Sequence, residues 1–403
     1  MVNNMIGLIP GEYWEHRFSD LLRGFAAAMG PKKQRETPYI SGMGKFIPIR
    51  SGRAALVAAL RALNLPPAAR IGVPLYCCPV VFKAIVAAGC TARFIDIDPA
   101  TYCMSAEDLF AKRSQVDAVI AVHMFGNLCN IPDLQEAVPG KPIIEDCAQS
   151  LGSKLNGRMA GSFGTISFFS FRSGKYLSAG EGGALLSIHE EIQDKLTQLV
   201  STLPAPSRFD EFVHVATTYA RSMLRSRPLY GLVGYPLWKF YNKKVDYSEK
   251  APINLSQIYK SDIAIAIKRL VILDSAIERQ RANADIYSRA LKLDPGMLCS
   301  EKAETFYNRY LYPILFSSWE HRDLMVTYLH ARQIGTLQPY KDIADVAATH
   351  YGYTGDCPVS ERVAKRVLVI PSNQSLKKGE VERIAECVNA GWAEIKGRND
   401  RTS

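Results

Sequence analysis

Between residues 48 and 188 the chain alternates two hydrophobic periods, and that alternation narrows the folds open to it. "SGRAALVAALRAL" (51–63) places a serine at the capping position, then alanine and leucine at helical spacing, and predicts a helix. "RIGVPLY" predicts a short strand and "CPVVFKAIVAAG" a helix closed by glycine. "TARFIDID", "VDAVIAVHMFG" and "KPIIEDCA" predict further strands, with helical segments at 106–112 and 132–137 between them. "TISFFSF" and "GALLSI" add two more strands. Strands apolar on both faces, alternating with helices, predict an α/β fold: a mostly parallel central sheet with helices on both faces.

A chain of 403 residues is long enough for two domains. Residues 254–291 carry a long helical pattern expected to lead out of the first unit. Beyond it, "YNRYLYPILF", a helix around 321–334, "RVLVIPSN" and "KGEVERIAECVNAGWAEI" predict a smaller α+β unit. The expected division is a large domain over 1–253, a connecting helical segment over 254–291 and a small C-terminal domain over 292–403.

The formal net charge of +10 invites anionic partners such as phosphorylated metabolites, nucleic acid or an anionic membrane surface. No zinc-finger spacing or recognition motif supports nucleic acid, which is not expected as a partner. The nine cysteines include no CxxC pair and read as reduced thiols, not as a disulfide framework or metal site. The N-terminus lacks a basic signal-peptide region, and no window offers the ~18 apolar residues of a membrane span. A cytoplasmic location is expected.

The stretch "SFFSFRSGKYLSAGEGGALL" (167–186) sets Lys175 between an apolar run and a glycine-rich loop. Glycines there permit tight turns and close approach of backbone to a ligand. Asp146 ends the strand "PIIED" at the carboxyl edge of the sheet, where ligands bind in open α/β folds. Alone, such an aspartate could simply cap a helix. Together, Lys175 and Asp146 fit a pyridoxal phosphate (PLP) site, which needs an amine for the cofactor aldehyde and an acid beside the pyridinium nitrogen. "RSGRAAL" supplies a phosphate cradle: Ser51, Gly52 and Arg53 precede a helix whose N-terminal amides favour an anion, and the Ser170 hydroxyl can join them.

The ordered set "SGRAAL", "GVPLYCCPVVFKAIVAAG", "FIDIDPATY", "AVHMFG", "PIIEDCAQSLGS" and "GRMAGSFGTISFFSFRSGKYLSAGEGG" resembles the nucleotide-sugar aminotransferases called the DegT family, of the fold-type I PLP enzymes. The resemblance implies that Lys175 carries the cofactor as a Schiff base and shuttles a proton, and that Asp146 holds the pyridinium proton. It further implies that Gln149 bonds the ring 3-oxygen and that Ser170 with the Gly52–Arg53 backbone binds phosphate. Cys78 falls at the ring-stacking position, often aromatic in the family, and Asn254 matches an asparagine sent into the neighbouring subunit's site. The implied reaction moves an amino group from an amino-acid donor, glutamate by resemblance, to a keto group on a sugar-like, nucleotide-linked acceptor, in a homodimer. Lysine at 175 favours amino transfer over sugar dehydration. A PLP lyase or dehydratase would share these residues, and an idle descendant acting as a sensor or scaffold is a reading from another class. His123 in "AVHMFG" reads as a structural histidine; Glu181 carries no assignment.

An insertion over about 205–250 stands apart. From 221 to 244 it holds arginines and lysines but no acid, interleaved with leucine, tyrosine, Trp238 and Phe240. One reading is a lid or dimer contact packed on protein. The other is short helices in a membrane interface, with residues 212–244 facing an anionic surface and a lipid-linked keto acceptor.

Overall fold

The computed structural model describes residues 7–31, 38–40, 43–241 and 252–399. Its centre is a seven-stranded sheet of β1 (Ile47–Ile49), β2 (Arg70–Pro74), β3 (Thr91–Ile95), β4 (Ala118–Val122), β5 (Ile143–Asp146), β6 (Ile166–Ser170) and β7 (Gly183–Leu186). The spatial order is β1-β7-β6-β5-β4-β2-β3. β2 to β6 run parallel, while β7 is antiparallel to both β6 and β1. The central strands are buried along their length, as their continuous apolar runs require.

The Gly52–Ala62 helix packs on β6 and β7. Every residue of it except Arg53 and Arg61 is buried. Its alanines let the axis approach the sheet closely, and Ser51 caps it by accepting the Ala54 N–H at 3.2 Å.

The helical pattern expected as one segment over 254–291 is broken twice. Residues 252–259 are extended, because their backbone is taken by other partners: Arg50 N–H donates to the Ser256 carbonyl and Gln257 N–H to that of Pro204. Helices Lys260–Val271 and Leu273–Ala290 then follow, separated at Ile272, whose φ of −108° and ψ of 9° leave the helical region.

The C-terminal part is built on the antiparallel pair β8 (Tyr312–Leu315) and β9 (Val367–Ile370). Strand alternation gives β9 two faces. Leu368 and Ile370 join a core with Ile314, Met325, Leu329, Ile384 and Val388, whereas Val367 and Val369 belong to the core of the large sheet. Helices Ile343–Tyr351 and Pro358–Arg366 also contribute to that larger core.

The insertion forms helices Arg208–Met223 and Tyr235–Tyr241 around a wide turn at Tyr230–Gly234. It packs on protein along one side. Ser222 Oγ donates to the Trp14 carbonyl, Arg225 lies over the Trp14 ring at 4.6 Å, and Arg227 pairs with Glu380. The opposite side leaves Phe209, Leu232, Leu237 and Phe240 exposed. Residues 242–244 of the basic stretch lie outside the described residues.

Candidate active site

The carboxyl ends of three neighbouring strands make the floor of one cavity of about 370 Å³. Val122 of β4 and Phe168 of β6 both pair in register with Asp146 of β5, and all three side chains line it. Asp146 is buried, and its Oδ1 accepts the Ala148 N–H at 2.9 Å. Burial raises its pKa above the ordinary value, against the pull of that amide and of Lys175. A carboxylate so placed is stabilised by any cation that enters the cavity.

Lys175 lines the same cavity from a hairpin-like loop. The loop closes through Ala179 N–H to the Phe171 carbonyl at 2.9 Å and Ser173 N–H to the Gly180 carbonyl at 3.0 Å. Gly174 is required at its turn: φ is +94°, and a side-chain carbon there would stand 2.4 Å from Glu12 Oε1. The ammonium lies 4.4 Å from the Tyr310 ring centroid. Burial, and then the Arg172 charge, lower its pKa to about 8, while Glu12 and Asp146 pull the other way. Near neutral pH a useful fraction is therefore the free amine, the form that attacks an aldehyde.

Ser51, Gly52, Arg53 and Ser170 meet at the far end. Gly52 abuts Ser170, where an added Cβ would lie 3.3 Å from the serine Cβ. The helix N-terminus, its backbone amides and two hydroxyls form a concave anion cradle, and the exposed Arg53 adds charge at its rim. Cys78 lines the wall as the residue preceding the Pro79–Ala87 helix, and burial raises its thiol pKa, so it presents an uncharged face. Gln149 is buried and lines the cavity, its Oε1 accepting the Phe125 N–H at 3.2 Å and its Nε2 donating to Met124 Sδ at 3.5 Å. These residues fit PLP: an amine, an acid across from it, and a phosphate cradle converge on one space of suitable size.

Asn254 does not join them. It is exposed on the extended 252–259 segment and is absent from the lining of its own chain's cavity.

The sequence reading passed over four lining or neighbouring groups. Tyr340 reaches the cavity because Leu337 pairs with Val369 of β9, and Tyr310 stands under Lys175. Arg172 lines the wall, and its Nη2 donates to Glu12 Oε1 at 2.8 Å. Glu12 also accepts from Trp14 Nε1–H at 3.0 Å through Oε2, with Arg225 Nη1 3.9 Å away. Burial alone would raise the Glu12 carboxyl, but Arg172, Trp14 and Arg225 more than offset it, and its pKa lies below the ordinary value. No local signal marks Glu12, since it reaches the site through the fold of the N-terminal segment: Ile9 N–H donates to the Gln333 carbonyl at 2.9 Å and the Ile9 carbonyl accepts the Gly335 N–H at 2.8 Å.

His123 is structural, as the sequence suggests. Its Nδ1 accepts the Cys129 N–H at 3.1 Å, so Nε2 carries the proton and donates to Glu145 Oε2 at 3.0 Å. His123, Glu145 and Cys147 cluster closely enough to suggest a metal site. However, Glu145 already accepts from the Gly161, Phe163 and Gly164 N–H groups at 2.6–2.8 Å, and its two oxygens are engaged in pinning that loop. Glu181 pairs with Arg50 at 3.1 Å, and Arg50 in turn lies 3.7 Å over the Tyr259 ring. That pairing holds the glycine loop to the segment entering the Gly52–Ala62 helix.

The sheet order, the parallel run of β2 to β6 and the cofactor chemistry are those of a PLP-dependent aminotransferase of fold-type I. The chain belongs to the DegT/DnrJ/EryC1/StrS aminotransferase family, which it matches over residues 34–389. It is 27% identical to the UDP-N-acetyl-3-dehydro-alpha-D-glucosamine 3-aminotransferase of Acidithiobacillus ferrooxidans, over 89% of this chain and 87% of that one. It is likewise 27% identical to the GDP-perosamine synthase of Vibrio cholerae, over 84% of each. The sugar aminotransferase CalS13 of Micromonospora echinospora shares the fold, with a TM-score of 0.73 at 22% identity, covering 96% of this chain and 100% of that one.

Proposed function

We propose that this aminotransferase takes the amino group of an amino acid, glutamate in the first instance, and delivers it to a keto group on a nucleotide-linked sugar. The observation that carries this reading is the convergence of Lys175, Asp146 and the Ser51–Gly52–Ser170 cradle on one cavity. The names of both relatives contain a nucleotide-linked sugar, as the compound acted on in one and the compound made in the other, which supports the acceptor class.

When bound, pyridoxal phosphate supplies an aldehyde that accepts the amino group and a ring that draws electrons from the substrate carbon. The chain's own residues do the rest. The cradle fixes the phosphate, and Asp146 keeps a proton on the ring nitrogen because an adjacent anion favours the charged form. Lys175 Nζ, held near neutrality, takes the proton from the donor's α-carbon as a general base and returns one as a general acid in the opposite half. Cys78 and Gln149, which line the same cavity, would help to hold the cofactor ring there. A homodimer, with Asn254 of each chain offered to its partner, completes the reading, and the exposure of Asn254 supports it.

A second reading, a keto acceptor carried on a lipid at an anionic membrane, is favoured by the exposed Leu232, Leu237 and Phe240 on the outer side of the basic insertion. Among the described residues no helix is long and apolar enough to cross a membrane, so such contact would be peripheral.

The test is an acceptor screen scored by glutamate-dependent amination, with nucleotide-linked and lipid-linked keto sugars in parallel. Amination of nucleotide-linked keto sugars supports the first reading. Amination confined to lipid-linked acceptors, with co-flotation on anionic liposomes at low salt, would replace it by the second.

A further inference from the structure

We propose that Arg172 is the residue that grips a carboxylate of the amino donor, and that Glu12 occupies it as an internal stand-in until the donor arrives. This rests on the aminotransferase reading of the cavity.

The argument begins with charge. Asp146 faces the position of the cofactor ring, and the cradle faces its phosphate. Of the other acids near Lys175, Glu181 is matched by Arg50 and Glu15 by Arg17 and Arg269, which leaves Glu12 between two guanidinium groups, Arg172 and Arg225. The pocket therefore holds a surplus positive charge beside the reacting amine. In a partly desolvated cavity such a surplus attracts one more anion, and an amino-acid donor brings a carboxylate on the carbon that reacts.

Accessibility selects which arginine receives it. The Arg172 side chain is 52% accessible and lines the cavity shared with Lys175, whereas the Arg225 side chain is 19% accessible and lies over Trp14. Arg172 lines that cavity together with Cys78, Tyr340 and Lys175, so its guanidinium shares one space with the reacting amine. A guanidinium offers two parallel N–H groups to a carboxylate, the geometry that a donor's carboxyl group needs to be held in one orientation.

Exchange leaves no buried charge orphaned. When the donor takes Arg172, Glu12 keeps the Trp14 Nε1–H bond at 3.0 Å and the Arg225 charge at 3.9 Å. Removal of a sole partner from a buried carboxylate would be strongly unfavourable; a second cation already in place removes that obstacle. Arg225 comes from the insertion, so the insertion has a stated part in donor exchange. A nucleotide-linked keto sugar need not carry a carboxylate near its keto carbon, and Arg172 therefore serves the first half-reaction far more than the second.

The experiment uses the full-length, PLP-loaded protein and three variants, Arg172→Gln, Arg172→Lys and Glu12→Gln. Visible absorbance first establishes that each holds PLP and that wild type bleaches with glutamate; failure of wild type at this stage would sink the aminotransferase reading itself. Binding of maleate, an unreactive dicarboxylate, is then measured by calorimetry, which requires no turnover. The two half-reactions are followed separately in single turnover. Arg172→Gln is expected to weaken maleate and raise the donor concentration for half-maximal rate by roughly 10- to 100-fold, the scale of a lost charge-assisted bond. The acceptor half-reaction should lose far less, and Arg172→Lys should recover part of the donor effect. Glu12→Gln, which removes the competing anion, should tighten maleate several-fold. Unchanged maleate and donor dependence in both arginine variants would overturn the proposal. So would a fall in PLP affinity without a change in maleate binding, which would assign Arg172 to the cofactor phosphate.

Discussion

A side-chain carbon on Gly183 would stand 2.6 Å from the backbone nitrogen of Gly52. Strand β7 can therefore lie beside the start of the Gly52–Ala62 helix only because position 183 is bare. The parallel bridge between Ser51 and Gly182 marks the same approach. The glycine-rich loop after Lys175 thus builds the phosphate cradle from behind.

Gly183→Ala should push that helix start away from Ser170. Overpacking of this kind costs about 1–3 kcal/mol. A lower melting temperature and a PLP dissociation constant raised by roughly tenfold or more are expected, measured by thermal unfolding and by fluorescence titration with PLP. A variant with wild-type PLP affinity would separate the cradle from this contact.

The depressed pKa of Lys175 has a signed consequence for the cofactor-free protein. Between about 8 and 10.5 the unfolded chain binds a proton at this lysine that the folded chain does not. Stability contributed by this group therefore rises with pH across that window and is constant below it. Urea unfolding of wild type and Lys175→Met at pH 7.5 to 10.5 should show wild type gaining relative to the variant as pH increases. The variant should also show no visible band on addition of PLP.

Asp146→Asn keeps the shape of the floor but removes its charge. The variant should still bind PLP at Lys175, because the cradle and the amine are intact. Loss of a preorganised charge at a reacting centre slows chemistry by roughly 100- to 1,000-fold, and glutamate-dependent bleaching in single turnover should slow on that scale.

Glu145→Gln tests the cluster beneath the cavity. The carboxylate binds His123 and three backbone N–H groups of the 161–164 loop, and an amide cannot accept all four bonds equally. A loss of about 2–4 kcal/mol in urea unfolding is expected. Chelators should leave both proteins unchanged; stabilisation of wild type by added zinc would reinstate the metal reading.

Six of the seven strands of the central sheet were legible as apolar runs, two of them ending at the distinctive residues Asp146 and Ser170, whereas the three-residue edge strand β1 is too short to carry a period. The cavity residues Gly52, Arg53, Cys78, Asp146, Gln149, Ser170 and Lys175 were legible as a set because they fall in ordered local motifs. Glu12 was not, since its partner Arg172 lies 160 residues away and the contact exists only through tertiary folding. The break at Ile272 was hidden for a different reason. The apolar period continues on both sides of it, and periodicity alone cannot register a single residue that leaves helical geometry. In the insertion, composition marked charge and aromatic content, but not that Arg225 and Arg227 turn inward to Glu12 and Glu380.

Strand β9 gives one row of side chains to each of the two cores. A segment anchored on both faces ties the two cores together, and any movement that separated them would expose apolar side chains of β9 to water. The Glu12–Arg172 bond adds a third tie, fastening the N-terminal segment to the loop that carries Lys175.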